Sequence, residues 1–434
     1  MKKRSVNFIV DIFLKQLHIK KIRHLKDITI PLSSETRKHL ILTGKNGSGK
    51  TSFLEGILEY FKVVEMGSLQ MLSRYHDYIK NHEAEIDRLK ERLKENPNDE
   101  SILMEIRDQR RYIHNNKEAI EKYEGKVKPL FNTILKFDDY YESGKYIIFY
   151  CNATRYSKMD APEGIHKTDL KPTREISSNT NAIFVKYLVD LKAQQMFAQQ
   201  AGDLHIANDI EKWFKRLEKS LKIIFENDNL ELVFDYANYN FIIKEPGKDP
   251  YTLNTLSSGY SSLLYIVTEL IIRMLSTNAP LYDIQGIVLI DEIDVHLHIS
   301  LQKKVLRFLT DLFPNIQFIV TTHSPFVINS IENTVVYDLE KGILLNDLAL
   351  FPFQAILEGY FEIDQYSYLL KEKLKEYQRL SENKKSLSYE ESLKFKKLKE
   401  DFSKVPKNLS KELQMKLAEV ELNMILCGEN DDIN

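Results

Sequence analysis

The sequence has little cysteine, no long apolar run and almost no net charge. Its two cysteines, Cys151 and Cys427, lie far apart, which argues against a disulfide framework and against a cysteine-based zinc site. No apolar run reaches the roughly 18 residues that a membrane-spanning helix needs. Asp11 and Lys15 interrupt the N-terminal apolar segment, which is therefore unlike a signal peptide. We expect a cytoplasmic protein in a reducing compartment, with no membrane partner.

The net charge of −2 gives no overall attraction to nucleic acid or to an anionic membrane. A hydrophobic content of 43% with 29% charged residues is typical of a globular protein with a sizeable core. Short apolar or alternating runs predict strands. Several such runs lie within residues 5–43. Further runs are "KYIIFYCNA", "LELVFDYANYNFIIKE" (two strands around a turn at Ala237-Asn238), "GIVLID" and "IQFIVTT". Residues 183–227 and the charged region after Phe353 are predicted to be helical, and residues 155–182 to form a polar loop.

A heptad pattern predicts a helical hairpin inserted early in the chain. Residues that are mostly apolar step by four and three along two arms, which are separated by the turn "ENPND". The positions are Tyr75, Ile79, His82, Ile86, Leu89 and Leu93 in the first arm, and Ile102, Ile106, Gln109, Ile113, Asn116, Ile120 and Tyr123 in the second. Each arm of about 25 residues would reach about 40 Å. The alternative is a helical pair that lies flat on the domain.

A phosphate-binding motif stands at residues 44–51, "GKNGSGKT", which fits G-x-x-x-x-G-K-[ST]. It follows the apolar strand "HLILTG" and opens a helix, so its backbone N–H groups and the helix dipole can hold phosphate oxygens. Lys50 would reach the β- and γ-phosphates, and the Thr51 hydroxyl would bind Mg²⁺. The residues expected to contact nucleotide here are Gly44, Asn46, Gly47, Gly49, Lys50, Thr51 and Ser52.

Two further strands end in polar residues, where a parallel sheet presents ligand-binding groups. In "IVLIDE", Asp291 is predicted to bind Mg²⁺ and Glu292 to polarise the attacking water. In "FIVTTHSP", His323 is placed to sense the γ-phosphate by hydrogen bonding. The run "LHISLQKKVLRFLTDLF" between them fits a crossover helix, so the two strands are expected to be neighbours.

Residues 256–260, Leu-Ser-Ser-Gly-Tyr, precede a long apolar helix. They resemble the LSGGQ signature of ABC-type ATPases, and the four motifs stand in the ABC order. The resemblance implies that Ser257 and the Gly259 N–H bind the γ-phosphate of a nucleotide held by a second subunit, helped by the helix dipole. The alternative is a plain serine N-cap.

Residues 12–330 resemble the head domains of the SMC, Rad50, RecF and OLD branch of ABC ATPases. They look most like the compact "AAA family ATPase" proteins of prokaryotic defence systems, such as those of Septu and PARIS. "LHIKKIRHLKDITIPL" is similar to the opening motif of that branch, which implies that Arg23 lies near the nucleotide. "DEIDVHLHIS" is similar to its DEPExHLHP motif, with Asp294 in the dimer-facing loop. His296 and His298 are interpreted as structural.

The resemblance implies an α/β ABC-ATPase head of the P-loop NTPase class, with an antiparallel coiled-coil hairpin insertion and a C-terminal helical region. The expected divisions are residues 1–67 and 126–352 for the head, 68–125 for the hairpin and 353–434 for the C-terminal region. Some features depart from the family pattern: no Q-loop glutamine precedes the hairpin, Ser258 and Tyr260 vary the signature, and no proline follows Glu292. These departures favour slow or gated turnover.

The implied function is ATP hydrolysis with Mg²⁺, carried by Lys50, Glu292 and His323, in a homodimer closed around ATP. A separately encoded effector, a nuclease or toxin, is the expected partner, because the chain resembles stand-alone ATPases and has no effector motif of its own. The alternative is a RecF- or Rad50-like repair ATPase that binds DNA across its dimer. A transporter subunit and an inert scaffold are disfavoured, the latter because Lys50, Thr51 and the acidic pair are intact.

Overall fold

The structure is a computed structural model. It describes residues 10–65, 69–134, 136–155, 159–168, 170, 176, 180–276, 284–346, 348, 351, 355–356, 368–382, 387–403, 413, 415–420 and 422. The chain divides into two units, residues 1–353 and 354–434. Within the described ranges, every helix is too short or too polar to cross a bilayer.

The strands, in chain order, are β1 (Leu14–Ile22), β2 (Leu25–Pro31), β3 (His39–Thr43), β4 (Val127–Phe131), β5 (Tyr146–Cys151), β6 (Glu231–Asp235), β7 (Asn240–Lys244), β8 (Tyr251–Thr252), β9 (Gln285–Ile290), β10 (Ile316–Thr321), β11 (Thr334–Asp338) and β12 (Ile343–Asn346). The helices of the first unit are α1 (Lys50–Glu65), α2 (Leu69–Glu95), α3 (Glu100–Glu124), α4 (Phe137–Glu142), α5 (Phe184–Ala201), α6 (Leu204–Phe225), α7 (Ser258–Leu275), α8 (Ile299–Gln302), α9 (Val305–Leu312) and α10 (Pro325–Ile328). The second unit contains α11 (Tyr368–Glu382) and α12 (Tyr389–Ser403).

A six-stranded sheet forms the centre of the first unit, in the order β12-β11-β3-β10-β9-β5. Five of its strands pair in parallel, and β12 joins the edge in the antiparallel sense. Every residue of β3, β9, β10 and β11 is buried, as expected for parallel strands covered on both faces. Because parallel strands share one direction, the residues that follow β3, β5, β9 and β10 come together at one edge.

Two smaller antiparallel sheets flank this centre. The sheet β2-β1-β4 packs its buried face, which includes Leu17 and Ile19, into one hydrophobic cluster with Phe53 and Leu54 of α1. The sheet β6-β7-β8 packs against the α5–α6 pair, where the rings of Phe214 and Phe241 stack at 5.5 Å. The first small sheet thus holds helix α1, and with it the phosphate loop, against the central sheet.

The predicted hairpin is present as α2 and α3, joined by the short turn between residues 95 and 100. Leu89, Ile102 and Ile106 form a hydrophobic cluster within the hairpin itself. His82 bonds to Gln109 across the pair and stacks on Tyr112. Asp99 caps α3 by accepting hydrogen bonds from the N–H groups of Ser101 and Ile102. The heptad positions therefore face each other, as their spacing predicts.

The second unit has its own hydrophobic cluster. Helices α11 and α12 pack through Tyr377, which stacks on Phe395 at 5.0 Å and meets Phe402 edge-on. Leu380 and Leu398 are buried in the same cluster. The predicted charged helices after Phe353 are thus confirmed over the described residues of this unit.

The structure also differs from the sequence-based expectations. The predicted single crossover helix is wrong, because α8 ends at Gln302 and α9 begins at Val305. The Gln302 side chain is engaged on both sides of this break, since it donates to the carbonyl of Leu297 and accepts from the Ser324 hydroxyl. Strands β4, β11 and β12 were not predicted. Much of the predicted polar loop at 155–182 lies outside the described residues.

Candidate functional site

The phosphate loop lies between β3 and α1 in a conformation that depends on glycine. Gly44, Gly47 and Gly49 have φ angles of 130°, 86° and 99°, which residues with a side chain rarely adopt. The Lys50 ammonium donates hydrogen bonds to the carbonyls of Gly44 (2.8 Å) and Lys45 (3.1 Å). The glycines therefore let the loop curl around the Lys50 side chain.

The acidic pair stands next to this loop, at the end of β9. The Asp291 carboxylate accepts one hydrogen bond from the Thr51 hydroxyl (2.9 Å) and one from the Thr321 hydroxyl at the end of β10 (2.6 Å). The Thr321 hydroxyl also accepts a hydrogen bond from the backbone N–H of Glu292 (2.6 Å). One buried hydroxyl thus fixes both members of the acidic pair.

Two observations fit the phosphate and Mg²⁺ that such a loop would hold. The hydroxyl of Ser48, inside the loop, is buried and has no hydrogen-bond partner within the described part of the chain, so a phosphate oxygen would satisfy it. The Thr51 hydroxyl and the Asp291 carboxylate lie within 2.9 Å of each other, and both are oxygen ligands of the kind that Mg²⁺ prefers. Mg²⁺ is usually held by few protein oxygens together with substrate phosphates, and this pair matches that pattern.

The charged groups at this edge of the sheet affect the pKa values of Lys50 and His323. Burial lowers the pKa of Lys50, while the carboxylates of Glu292 and Asp291 act in the opposite sense and favour the charged form. The pKa of His323 is also lowered, first by partial burial of its ring and then by the Lys50 ammonium. The lowered pKa favours the neutral, hydrogen-bonding form of His323 at pH 7, and the neighbouring carboxylates favour the charged form of Lys50.

The loop after β10 is connected to the turn after the acidic pair. The Thr322 hydroxyl donates to the Asp294 carboxylate (2.5 Å) and accepts from the N–H of Ser324 (2.9 Å). The N–H of Ile293 donates to the Thr321 carbonyl (3.0 Å). The His323 loop and the Asp294 turn therefore form one hydrogen-bonded unit.

The signature residues lie at the start of α7, against this same turn. A Cβ on Gly259 would meet the His296 carbonyl oxygen at 2.6 Å, so only glycine permits this approach. Ser257 is the N-cap of α7, yet its side chain makes no capping hydrogen bond and it is exposed. The alternative of a plain serine N-cap is therefore wrong for its hydroxyl. Ser257 is not among the groups that bond to the phosphate loop.

The other predicted residues have separate positions. Arg23 is exposed in the β1–β2 turn with φ 50°, and the following residues cover the phosphate loop, since a Cβ on Gly49 would meet Leu25 at 3.1 Å. Asn46 and Ser52 lie in and just after the loop, Asn46 exposed and Ser52 half-buried. His298 caps α8 by accepting from the N–H of Ser300, in keeping with a structural role. His296 adopts φ 63° in an exposed turn.

Sequence reasoning missed several residues at this edge. Thr321 was read only as part of a strand, and Arg155 only as the start of a polar loop. Arg155 is buried and bonds to the backbone carbonyls of Asp291 and Glu292. Cys151, the last residue of β5, pairs with Ile290, so the next residue, Asn152, lies beside Asp291. The polar run "CNATR" directly after a buried strand could have pointed to Asn152 and Arg155.

Comparison with known proteins places the chain in a family. A family model described as "AAA domain, putative AbiEii toxin, Type IV TA system" matches residues 40–329. The Retron Ec83 probable ATPase of Escherichia coli is 31% identical over 202 residues, which are 42% of this chain and 33% of that protein. The Septu protein PtuA of Bacillus mycoides (strain KBAB4) is 33% identical over 129 residues, 29% of this chain and 16% of that protein. The alignments thus span a third or less of these relatives.

Among solved structures, an SMC head bound to the C-winged helix domain of ScpA aligns with 77% of this chain and 95% of its own, at 14% identity and a TM-score of 0.34. A nucleotide-free ATP-binding cassette from an ABC transporter aligns with 77% of this chain and 90% of its own, at 15% identity and a TM-score of 0.31. The fold assignment here rests on the phosphate loop, the sheet order and the family match, which covers more than half of the chain. The expected fold class is confirmed, and the protein belongs to this AAA-domain family as an α/β P-loop ATPase head with the ABC order of motifs.

Proposed function

We propose that this chain is an ATPase of a prokaryotic defence system, which closes a homodimer around ATP, hydrolyses it slowly and thereby regulates a separately encoded effector such as a nuclease. The retron and Septu relatives support the setting, since one is named a probable ATPase of a retron and the other a Septu protein. The chain matches only part of each relative, and the effector part of the proposal rests on this setting.

One observation carries the catalytic part of the proposal. Five residues follow the carboxyl ends of three different parallel strands, β3, β9 and β10, and lie at one edge of the sheet: Lys50, Thr51, Asp291, Glu292 and His323. The Thr51–Asp291 contact of 2.9 Å joins residues 240 positions apart. A structural role alone does not require a lysine, a hydroxyl and two carboxylates around a glycine-rich loop.

The residues have distinct roles in this proposal. Lys50 leaves the loop carbonyls and binds the β- and γ-phosphates, while the loop N–H groups and Ser48 bind their oxygens. Glu292 accepts a proton from the attacking water, and His323, neutral at pH 7, donates a hydrogen bond to the γ-phosphate. Mg²⁺, held by Thr51 and Asp291, supplies charge neutralisation at the phosphate oxygens.

The second half of each site would come from another copy of the chain. The Ser257 hydroxyl and the first N–H groups of α7 form an anion site at a helix N-terminus. Because the Ser257 side chain makes no capping bond, it is available to the γ-phosphate of nucleotide bound by the partner. Two copies would then enclose two nucleotides, and neither copy alone would hydrolyse ATP.

The experiment is to compare wild type with Glu292→Gln, using Glu332→Gln as a matched control at the opposite end of the sheet. General-base catalysis typically contributes at least about 100-fold, so Glu292→Gln should lose that much turnover and still bind ATP. Native mass should double with ATP and stay doubled in Glu292→Gln. Equal hydrolysis by wild type and Glu292→Gln would contradict the proposal.

The effector is tested separately, by purifying tagged Glu292→Gln protein with ATP from cells that carry its native operon. A stoichiometric nuclease or toxin in the native complex would support the defence assignment. A bare ATP-dependent dimer would contradict the effector part and leave the ATPase part intact.

A second candidate, a DNA-repair ATPase that binds DNA, is favoured by one surface feature. A cavity of about 690 Å³ at the base of the hairpin is lined by four lysines, Lys20, Lys21, Lys117 and Lys126, and by two glutamates. Lys126 is paired with Glu59 at 2.9 Å, which reduces the local charge. Salt-dependent, ATP-stimulated binding of duplex DNA that is weakened by Lys20→Glu with Lys21→Glu would support this candidate, and no binding at low salt would exclude it.

A further inference from the structure

Arg155 connects three parts of the molecule that the motifs describe separately. It follows β5, is 6% exposed and uses most of its guanidinium donors. Its Nε donates to the Ser262 hydroxyl (2.9 Å) on α7. One terminal nitrogen donates to the carbonyl of Asp291 (2.6 Å), and the other to the carbonyl of Glu292 (2.7 Å). A further bond to the Asn152 carbonyl (3.2 Å) anchors the guanidinium to the end of β5.

The two carbonyls that Arg155 holds are those of the peptide units on either side of the Glu292 Cα. A guanidinium is a rigid, planar set of donors, so it fixes their relative orientation. Glu292 has φ 47°, a left-handed conformation that costs energy for a residue with a side chain and persists only when its surroundings impose it. Arg155 on one side and Thr321 on the other impose it, and together they set the direction of the Glu292 side chain.

The remaining hydrogen bond of Arg155, to Ser262, connects it to the signature helix α7. Ser262 lies on the helix whose N-cap is Ser257, and the first turn is closed by a bond from the Ser261 N–H to the Ser257 carbonyl (2.9 Å). A helix moves as a rigid element, so a displacement of its N-terminal turn also moves Ser262. Through one buried guanidinium, that displacement reaches the backbone of Glu292.

We propose that Arg155 is a positioning residue that couples the signature helix to Glu292 of the same subunit. Phosphate bound at Ser257, from the nucleotide held by the partner, fixes α7 and thereby the direction of Glu292. Each subunit then hydrolyses its own ATP efficiently only when its partner is also loaded. This inference rests on the proposed function, because it requires a dimer closed around two nucleotides.

The test uses Ser262→Ala, Arg155→Lys and the double variant, with Ser261→Ala as the matched control. Ser261 is equally buried and adjacent on α7, but the bonds of Arg155 go to Ser262. We expect the wild-type rate to rise with ATP with a Hill coefficient above 1. Ser262→Ala should lower kcat about 10-fold and bring the Hill coefficient to about 1, with ATP affinity changed by less than about twofold. Small misplacements of a catalytic group have effects of this size or larger.

Arg155→Lys keeps the charge but cannot hold both carbonyls and Ser262, so it should lower kcat about 100-fold. The double variant should be no slower than Arg155→Lys, because both changes break one connection. Additive losses would overturn the inference. If Arg155→Lys does not fold, a Ser262→Ala protein whose Hill coefficient matches that of Ser261→Ala would still overturn it. An active Glu292→Gln protein would instead overturn the proposed function, so the two failures are distinguishable.

Discussion

The carboxyl edge of the central sheet and the helical hairpin are built on opposite principles. At the sheet edge, single side chains join distant parts of the chain: Thr51 bonds to Asp291 across 240 positions, and Thr321 bonds to the same carboxylate across 30. In the hairpin, the ion pairs of α2 are between residues three positions apart, as in Arg88–Glu85. One region depends on long-range topology, and the other mostly on local sequence.

This difference predicts how each region responds to change. At the sheet edge Asp291 and Thr321 are buried and bond to each other, so the loss of the Thr321 hydroxyl leaves polar groups unpaired and misplaces catalytic groups. Exposed ion pairs three residues apart contribute little each. The hairpin instead depends on its small apolar cluster, Leu89, Ile102 and Ile106. Damage to the sheet edge should therefore appear in turnover, and damage to the hairpin in local stability.

The largest effect is expected from Thr321→Val, which keeps the shape of the side chain but removes its hydroxyl. The carboxylate of Asp291 and the N–H of Glu292 would each lose a bond of 2.6 Å in a buried environment. A misplaced catalytic group typically costs about 100-fold in rate, so kcat should fall by about that factor. Steady-state ATP hydrolysis measures it.

Two further variants control for this change. Thr321→Ser keeps the hydroxyl and should retain most of the activity. Thr334→Val removes a buried threonine hydroxyl at the opposite end of the sheet, which bonds to the Ile331 carbonyl, and should leave kcat unchanged. A Thr334→Val protein as slow as Thr321→Val would mean that sheet stability, and not the position of the acidic pair, limits turnover.

The two regions also differ in what the sequence reveals. The hairpin was predicted with its facing residues because a heptad pattern and a polar turn are local signals. The phosphate loop was predicted for the same reason. Thr321 and Arg155 were missed because their roles depend on which strands are neighbours. β11 was missed because a five-residue strand, "TVVYD", carries no period long enough to separate it from a loop.

Part of the site could nevertheless be predicted from the sequence. Asp291 and His323 were placed after neighbouring strands because the run between them fits a crossover helix, and β9 and β10 do pair in parallel. The break in that crossover was not predicted, and the bonds that Gln302 makes beside it, to Leu297 and Ser324, exist only in the folded chain. Sequence patterns thus predicted the ends of these strands, but they did not predict the hydrogen bonds between side chains at neighbouring strand ends.

The next largest effect is expected on the local stability of the hairpin. Leu89 is 1% exposed, and Leu89→Ala should lower the local opening free energy of α2 and α3 by about 2 kcal/mol, the low end for buried leucine because a small cluster relaxes easily. Hydrogen exchange of the hairpin amides in the intact chain measures it. Leu103→Ala, at a 37% exposed position of the same hairpin, should have a much smaller effect. ATP hydrolysis should not change in either variant, and a loss in both would contradict the separation of the two regions.

A pH effect is expected from the sheet. Burial, with a contribution from Arg37, lowers the pKa of His39 to about 4, and its Nδ1 accepts a hydrogen bond from the Phe318 N–H (3.0 Å). The unfolded chain, with a histidine pKa near 6.5, binds more protons below that pH, so stability falls as pH drops from about 6.5 to 4. The slope from this one group is about 1.4 kcal/mol per pH unit.

His39→Asn removes the titration but keeps an acceptor at the place of Nδ1. The pH slope below 6.5 should therefore be shallower in this variant than in wild type. Urea unfolding followed by the fluorescence of Trp213, the single tryptophan of the chain, reports on this unit. His205→Asn, on an exposed helical turn, should keep the wild-type slope. Identical slopes for wild type and His39→Asn would show that His39 is not protonated on unfolding.

The smallest effect is expected at the hairpin turn. Asp99→Ala removes the cap that accepts from the N–H groups of Ser101 and Ile102, so amide exchange in the first turn of α3 should become severalfold faster. Asp99→Asn keeps the acceptor and should restore most of the protection, which separates capping from charge. Because the turn is local and exposed, neither variant should alter ATP hydrolysis. A change in kcat in either variant would mean that the hairpin and the sheet edge share one conformational equilibrium. The two regions would then not be separate in function, although they differ in how they are built.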